Sequence, residues 1–117
     1  MDWNAASTAD VEEVFDHFSG LSSAALAKLC EAINEIDQRQ SWMTDGARSL
    51  TDWVAARARI RHETAARLVS ISRRLVDLPV VAERFGAGDL SFDQVEAVSR
   101  IADASSDEEW ADRVQGL

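Results

Sequence analysis

Apolar side chains recur along this chain at intervals of three and four residues, the period of a helix buried on one face. Val11, Val14, Phe15 and Phe18 form one stripe and predict a first helix over Asp10–Phe18. Ser7 or Thr8 is placed to cap it, the early acids suit its positive end, and Gly20 is expected to stop it. A second stripe of Leu26, Leu29, Cys30, Ile33 and Ile36 predicts a helix from about Ser22 to Gln40. As the longest element it is the expected spine of the core. Ser41–Arg48 reads as a break, with Asp45-Gly46 as its turn and Trp42 and Met43 packed over the helix ends.

Beyond the break the punctuation is denser. Ser49 or Thr51 caps a third helix ending near Ala58, with Leu50, Trp53 and Val54 inward. A fourth, from about Arg61 to Val76, turns Ala65, Leu68, Ile71 or Ser72, and Leu75 to the core. Pro79 suits the first turn of a short fifth helix over Val80–Phe85. After GAGDL, Ser91 caps a sixth that buries Val95, Val98, Ile101 and Ala102. Ser106 and Glu109 have capping-box spacing for a seventh, which carries Trp110 and Val114. No strand or hairpin pattern interrupts this series. The expected class is all-α, a compact bundle of six to seven helices.

Composition agrees. Five glycines and one proline in 117 residues leave few breakers. The length suits one helical domain over 1–117, whether whole or the N-terminal piece of a longer protein. No apolar run approaches a membrane span, and MDWNAASTAD lacks the basic-then-apolar form of a signal peptide. Cys30, the one cysteine, lies on an apolar stripe and reads as a small buried hydrophobe in a reducing compartment. The cytoplasm is the expected location.

Charge changes the picture. The formal net charge is −9, yet residues 48–84 hold eight arginines against four acids. The flanks, 1–47 and 85–117, carry −7 and −6. An acidic total argues against nonspecific nucleic-acid binding by the whole surface, whereas the basic middle permits a local one. The competing reading pairs the central arginines with the flanking acids.

Residues of about 49–76 have the form of a helix-turn-helix. Ala55 is the small residue for close packing, Ile60 plugs the pair just past the turn, and Ala65 and Leu68 face the first helix. Arg61 and His62 open the second helix, and Thr64 and Arg67 lie near its outward face. Arg73 and Arg74 near its end are placed to clamp phosphates, or to pair with Asp77 or Glu83. With Arg57 and Arg59 these make the candidate DNA-binding set. One position dissents: Arg59 stands four after Ala55, where a left-handed backbone is easiest for Gly, so another turn shape is expected. Capture of these guanidinium groups by carboxylates, or fusion of the two helices into one span, would remove the case for DNA.

Catalytic signals are poor. His17 and His62 are the only histidines, and neither has a metal-ligand partner at useful spacing. No Gly-rich phosphate loop is present, and DEEWAD, Asp107–Asp112, reads as a solvated helix start rather than a metal site. No cofactor, metal, membrane partner or small-molecule substrate is expected.

The runs DGARSLTDWVAARARIRHETAARLV and RRLVDLPVVAERFGAGDLSFDQVEAVSRIA resemble the actinobacterial domain of unknown function 222, typical of the 13E12 repeat family. The resemblance spans about Leu21 to Ala102 and is strongest at Asp45-Gly46 with Trp53, Thr64–Leu68, Leu78-Pro79, and Gly88–Ser91 with Gln94-Val95. It implies an all-helical region that, in longer relatives, precedes an HNH nuclease domain. That nuclease requires histidines and an asparagine around a divalent metal. Asn4 and Asn34 are the only asparagines and lie in no such setting, so the chain itself is not expected to be an enzyme. Family members usually carry Gly where Arg59 stands. The leading expectation is a non-catalytic module that binds double-stranded DNA and targets an HNH endonuclease-like protein. The alternative is a protein-interaction domain, with a homodimer as one form and no direct DNA contact.

Overall fold

Ser7 begins the first helix as the spacing suggests, its hydroxyl accepting from Asp10 N–H while the Asp10 carboxylate accepts from Ser7 N–H. The computed structural model describes residues 2–117. Seven helices appear among them: α1 Thr8–Arg39, α2 Ser41–Thr44, α3 Leu50–Ala58, α4 His62–Leu75, α5 Pro79–Gly86, α6 Phe92–Ser99 and α7 Asp107–Gln115. The all-α bundle is as expected, and no strand forms among the described residues.

The expected stop at Gly20 does not occur, and the two predicted N-terminal helices are one element of 32 residues. A glycine within a helix costs about 1 kcal/mol relative to Ala, which a long helix tolerates. Gly20 sits where the α5–α6 loop crosses α1. A Cβ placed on Gly88 would lie 2.7 Å from the Gly20 carbonyl oxygen. Gly88 also has φ +82°, and the Asp89 N–H reaches back to Arg84 C=O to close α5. The glycine read as a breaker is thus half of a close backbone approach.

At about 1.5 Å per residue α1 is roughly 48 Å long, close to the 51 Å long dimension of the molecule. Its buried side chains are Ser23, Ala27, Cys30 and Ile33, from the midpoint of the helix through its second half. That half packs against α4 and α5. The first half extends beyond the bundle with Val11, Phe15 and Phe18 exposed, and Leu29 of the second stripe is also exposed.

Helix α4 is the hub. Ala65, Leu68, Val69, Ile71, Ser72 and Leu75 are all buried on it, and it packs against α1, α3, α5 and α6. The rest of the core is Leu50 and Val54 from α3, Val81 and Phe85 from α5, Val95 and Val98 from α6, and Ala111 from α7, with Leu78, Leu90 and Ala102 from the connections. Cys30 is buried as expected, and burial pushes its thiol pKa up.

Three expectations fail locally. Ile101 is exposed because α6 ends at Ser99, so the helical period no longer applies to it. In the break, Trp42 packs on the core whereas Met43 is exposed. The Ser106–Glu109 box is absent. Instead the Asp103 carboxylate accepts from Ser106 N–H at 3.1 Å, and Ser106 Oγ accepts from Asp103 N–H at 3.0 Å. The reciprocal pair sits three residues earlier.

Asp107 is not solvated. It is buried, and its two oxygens accept from Val80 N–H at 2.7 Å and Val81 N–H at 3.0 Å. Pro79 opens α5 and Leu78 offers no side-chain cap, so α7 supplies the cap from a distance. Replacing Asp107 by Ala leaves one buried and one part-buried donor without partners, and the expected loss is about 2–3 kcal/mol of unfolding free energy. Urea denaturation of Asp107→Ala and Asp107→Asn checks it, the Asn variant losing less because its amide oxygen still accepts.

Candidate nucleic-acid interface

The helix-turn-helix pair forms with the expected parts. Ala65 and Leu68 are buried, and Ala55 and Ile60 are half-buried against the core. Ser49 caps α3 by accepting from Asp52 N–H. Contrary to the expectation of another turn shape, Arg59 adopts the left-handed conformation itself, with φ 59° and ψ 47°. Ile60 N–H then reaches back to Ala55 C=O at 3.1 Å, and the two helices stay separate.

The candidate cations fall into two groups. Arg67 is held by α6. Its Nε donates to Glu96 Oε2 at 2.8 Å, and its Nη2 donates to Glu96 Oε1 at 3.0 Å and Asp93 Oδ1 at 3.1 Å. The same guanidinium lies 5.0 Å from the centre of the Phe92 ring. Arg73 reaches Asp37 on α1 at 3.3 Å rather than Asp77 or Glu83. Arg74 Nε donates to Ser99 C=O at 2.7 Å, and its Nη2 to Ala102 C=O at 3.4 Å. A shallow groove of about 450 Å³ between α4 and α6 is lined by Arg67, Arg74 and Arg100, but Glu96 lies in it too and opposes an anion. Along α4, Arg67 and Arg73 are therefore paired with carboxylates of neighbouring helices, whereas Arg74 is held by backbone carbonyls and keeps an uncompensated charge.

The second group sits at the corner between α3 and α4. Arg57, Arg59 and Arg61 are exposed, and none makes an ion pair among the described residues. Arg57 lies 5.3 Å from the Trp53 ring centre, and Trp53 is fixed by donating from Nε1 to Asp45 Oδ2 at 2.7 Å. Arg61 is the N-cap of α4 in an extended conformation, with no side-chain cap bond at that helix start. Its first-turn N–H groups thus add partial positive charge at the corner. His62 is exposed, 3.5 Å from Asp52, and Thr64 is half-buried.

These positions explain two properties of the site. The left-handed Arg59 costs about 1–2 kcal/mol relative to a relaxed backbone, a strain that Gly would relieve. Glu96, hydrogen-bonded to Arg67 and facing Arg67 and Arg100, has its pKa held below the ordinary value. A carboxylate with a depressed folded pKa stabilises the fold above its unfolded value, near pH 4.3, and that contribution is lost as pH falls through the folded value. Among the described residues no group of three or more His, Cys, Asp or Glu side chains is placed to hold a metal, and no helix is long and apolar enough to cross a membrane.

Two outcomes follow. Arg59→Gly should raise unfolding free energy by about 1 kcal/mol, read as a higher urea midpoint. Glu96→Gln should lower stability at pH 7 and give a shallower loss between pH 7 and 3 than the parent, though not a flat one. Asp103, whose hydrogen bonds from Ser105 and Ser106 also lower its pKa, contributes to the same limb. Urea titrations across that range measure both slopes.

No curated protein and no solved structure matches the chain. The family described as "Domain of unknown function (DUF222)" matches residues 15–115. That span takes in all but the beginning of α1 and every later helix, including the cationic corner, and the chain is a member of the DUF222 family.

Proposed function

We propose that this chain is a non-catalytic helical module that holds duplex DNA by its phosphates at the α3–α4 corner. The observation that carries the reading is the trio Arg57, Arg59 and Arg61, exposed and without carboxylate partners beside the uncapped start of α4. Phosphate oxygens favour guanidinium groups and helix N-terminal N–H groups. His62 lies at the same corner, with its Nδ1 3.5 Å from the Asp52 carboxylate. The strained backbone at Arg59 supports it further, because an outlier that keeps a cation at the tip of a turn invites a functional explanation. Arg67 and Arg73 are already paired with carboxylates and Arg74 donates to backbone carbonyls, so the main phosphate contacts are assigned to the corner instead.

With a net charge of −9 the remaining surface repels a polyanion, so the contact is confined to this corner and its affinity is low. In a longer relative of the HNH type such a module would place the nuclease on its substrate. The alternative, in which the arginine patch meets an acidic patch of a second copy, would use these same residues, whereas the exposed apolar face of α1 is a separate surface.

Fluorescence anisotropy with a short labelled duplex tests it. Binding should appear at about 50 mM salt and weaken steeply as salt rises. Replacing Arg57, Arg59 and Arg61 together by Gln should reduce the log–log salt slope by about 3, while Arg73→Gln leaves affinity within about twofold, as expected for a residue making no phosphate contact. No binding at low salt, or an Arg73 effect equal to that of the triple variant, contradicts the proposal.

A further inference from the structure

The first half of α1 is an amphipathic helix whose apolar side is covered by no other helix, Phe18 meeting only the edge of its neighbour His17 among the aromatic contacts. Phe15 is 72% and Phe18 59% exposed, and Val11, Leu21 and Leu29 are also exposed. At about 100° per residue, Val11, Phe15, Phe18, Ser22, Ala25 and Leu29 fall within about 40° of one line, with Val14 and Leu21 along one flank. No charged side chain enters that sector. Asp10, Glu12, Glu13 and Asp16 all point elsewhere around the helix, so a partner laid along the seam meets no buried charge.

An isolated helix of about 15 residues is marginal in water, and this one keeps its apolar face in solvent. We infer that the occupant of the seam is the same seam of a second copy, with the two α1 helices antiparallel about a two-fold axis near residues 19–20. The placement of charge selects this arrangement. Asp10 and Lys28 lie on the same flank of the helix, 18 residues apart and each about 100° from the Val11 line. An antiparallel two-fold sets Lys28 of each copy opposite Asp10 of the other. A parallel pair would instead stack the acids of the two N-terminal turns on one another. Lys28 at present contacts only Glu31 within its own helix, an exposed pair at 2.7 Å that leaves it free to turn.

The area is just sufficient. Fully covered, the two exposed phenylalanines with Val11, Leu21 and Leu29 give at most about 500 Å² per copy, or roughly 1,000 Å² in total, at the lower bound of a specific interface. The contact is isologous and closes at two copies, with no free seam for a third. The cationic corners lie on α3 and α4, outside the seam, so dimerisation and DNA contact are separable.

Sedimentation velocity of the intact chain up to about 1 mM, with circular dichroism to confirm folding, tests the inference. The chain should sediment as a dimer at the upper concentrations. Phe15→Ser with Phe18→Ser should weaken association at least about tenfold at unchanged helicity, as expected when apolar anchors are lost from an interface. Lys28→Asp should weaken it several-fold by opposing like charges. Asp10→Lys in the Lys28→Asp background should restore it to within about twofold, since the opposed pair is again of unlike sign. A chain that stays monomeric throughout, or a dimer indifferent to the phenylalanine substitutions, overturns the inference and leaves the seam to another protein. A dimer that loses affinity with the phenylalanines but ignores both charge variants overturns the antiparallel arrangement.

Discussion

Everything at the candidate interface depends on how thoroughly α4 is enclosed. Six of its fourteen residues are buried, and α1, α3 and α6 close around it. That burial anchors the helix-turn-helix pair, since Ala65 and Leu68 are both part of the core. It also brings the acids of α1 and α6 within reach of its outward arginines. A fork between Arg67 and Glu96 and a pair between Arg73 and Asp37 are the electrostatic consequence of packing acidic flanks around a basic centre. At the corner where α3 turns into α4, Arg57, Arg59 and Arg61 are exposed and have no carboxylate partner.

This exposure has a structural cost. The turn requires a left-handed residue, and the chain uses Arg59 where Gly would fit without strain. The same corner leaves the start of α4 without a side-chain cap. Either feature alone is an ordinary imperfection. Together they bring exposed arginines and a helix start without a side-chain cap within a few residues of one another in an otherwise acidic chain. The apolar seam on the first half of α1 is a second place where local stability is left incomplete, and it differs in kind because it asks for a hydrophobic partner.

What could be read in the sequence was what is decided within a few residues. The caps at Ser7, Ser49 and Ser91, the proline at the start of α5 and the buried stripe of α4 rest on local chemistry and helical spacing. The reversals come from distance. Gly20 has the propensity of a breaker, but its role is set by Gly88, 68 positions along the chain. Asp107 looks like one acid in a solvated run until α5, whose Pro79 start lacks a cap, is packed beside it. The one local hint was Pro79 itself, which is followed by backbone donors that Leu78 cannot satisfy. The arginines divide for the same reason. Asp93, Glu96, Asp37 and the Ser99 carbonyl lie 25 to 36 residues from the groups they hold. Segmental charge suggests such pairing without saying which arginines it spares.

The central claim is that Arg67, Arg73 and Arg74 are held while Arg57, Arg59 and Arg61 are free. Side-chain Nε–Hε resonances in a proton–nitrogen correlation spectrum report this directly. Slowed exchange is expected for the first three, fast exchange for the corner trio, and shifts confined to the trio when a short duplex is added. Uniform exchange across all six, or duplex-induced shifts centred on Arg67 and Arg74, would contradict the claim.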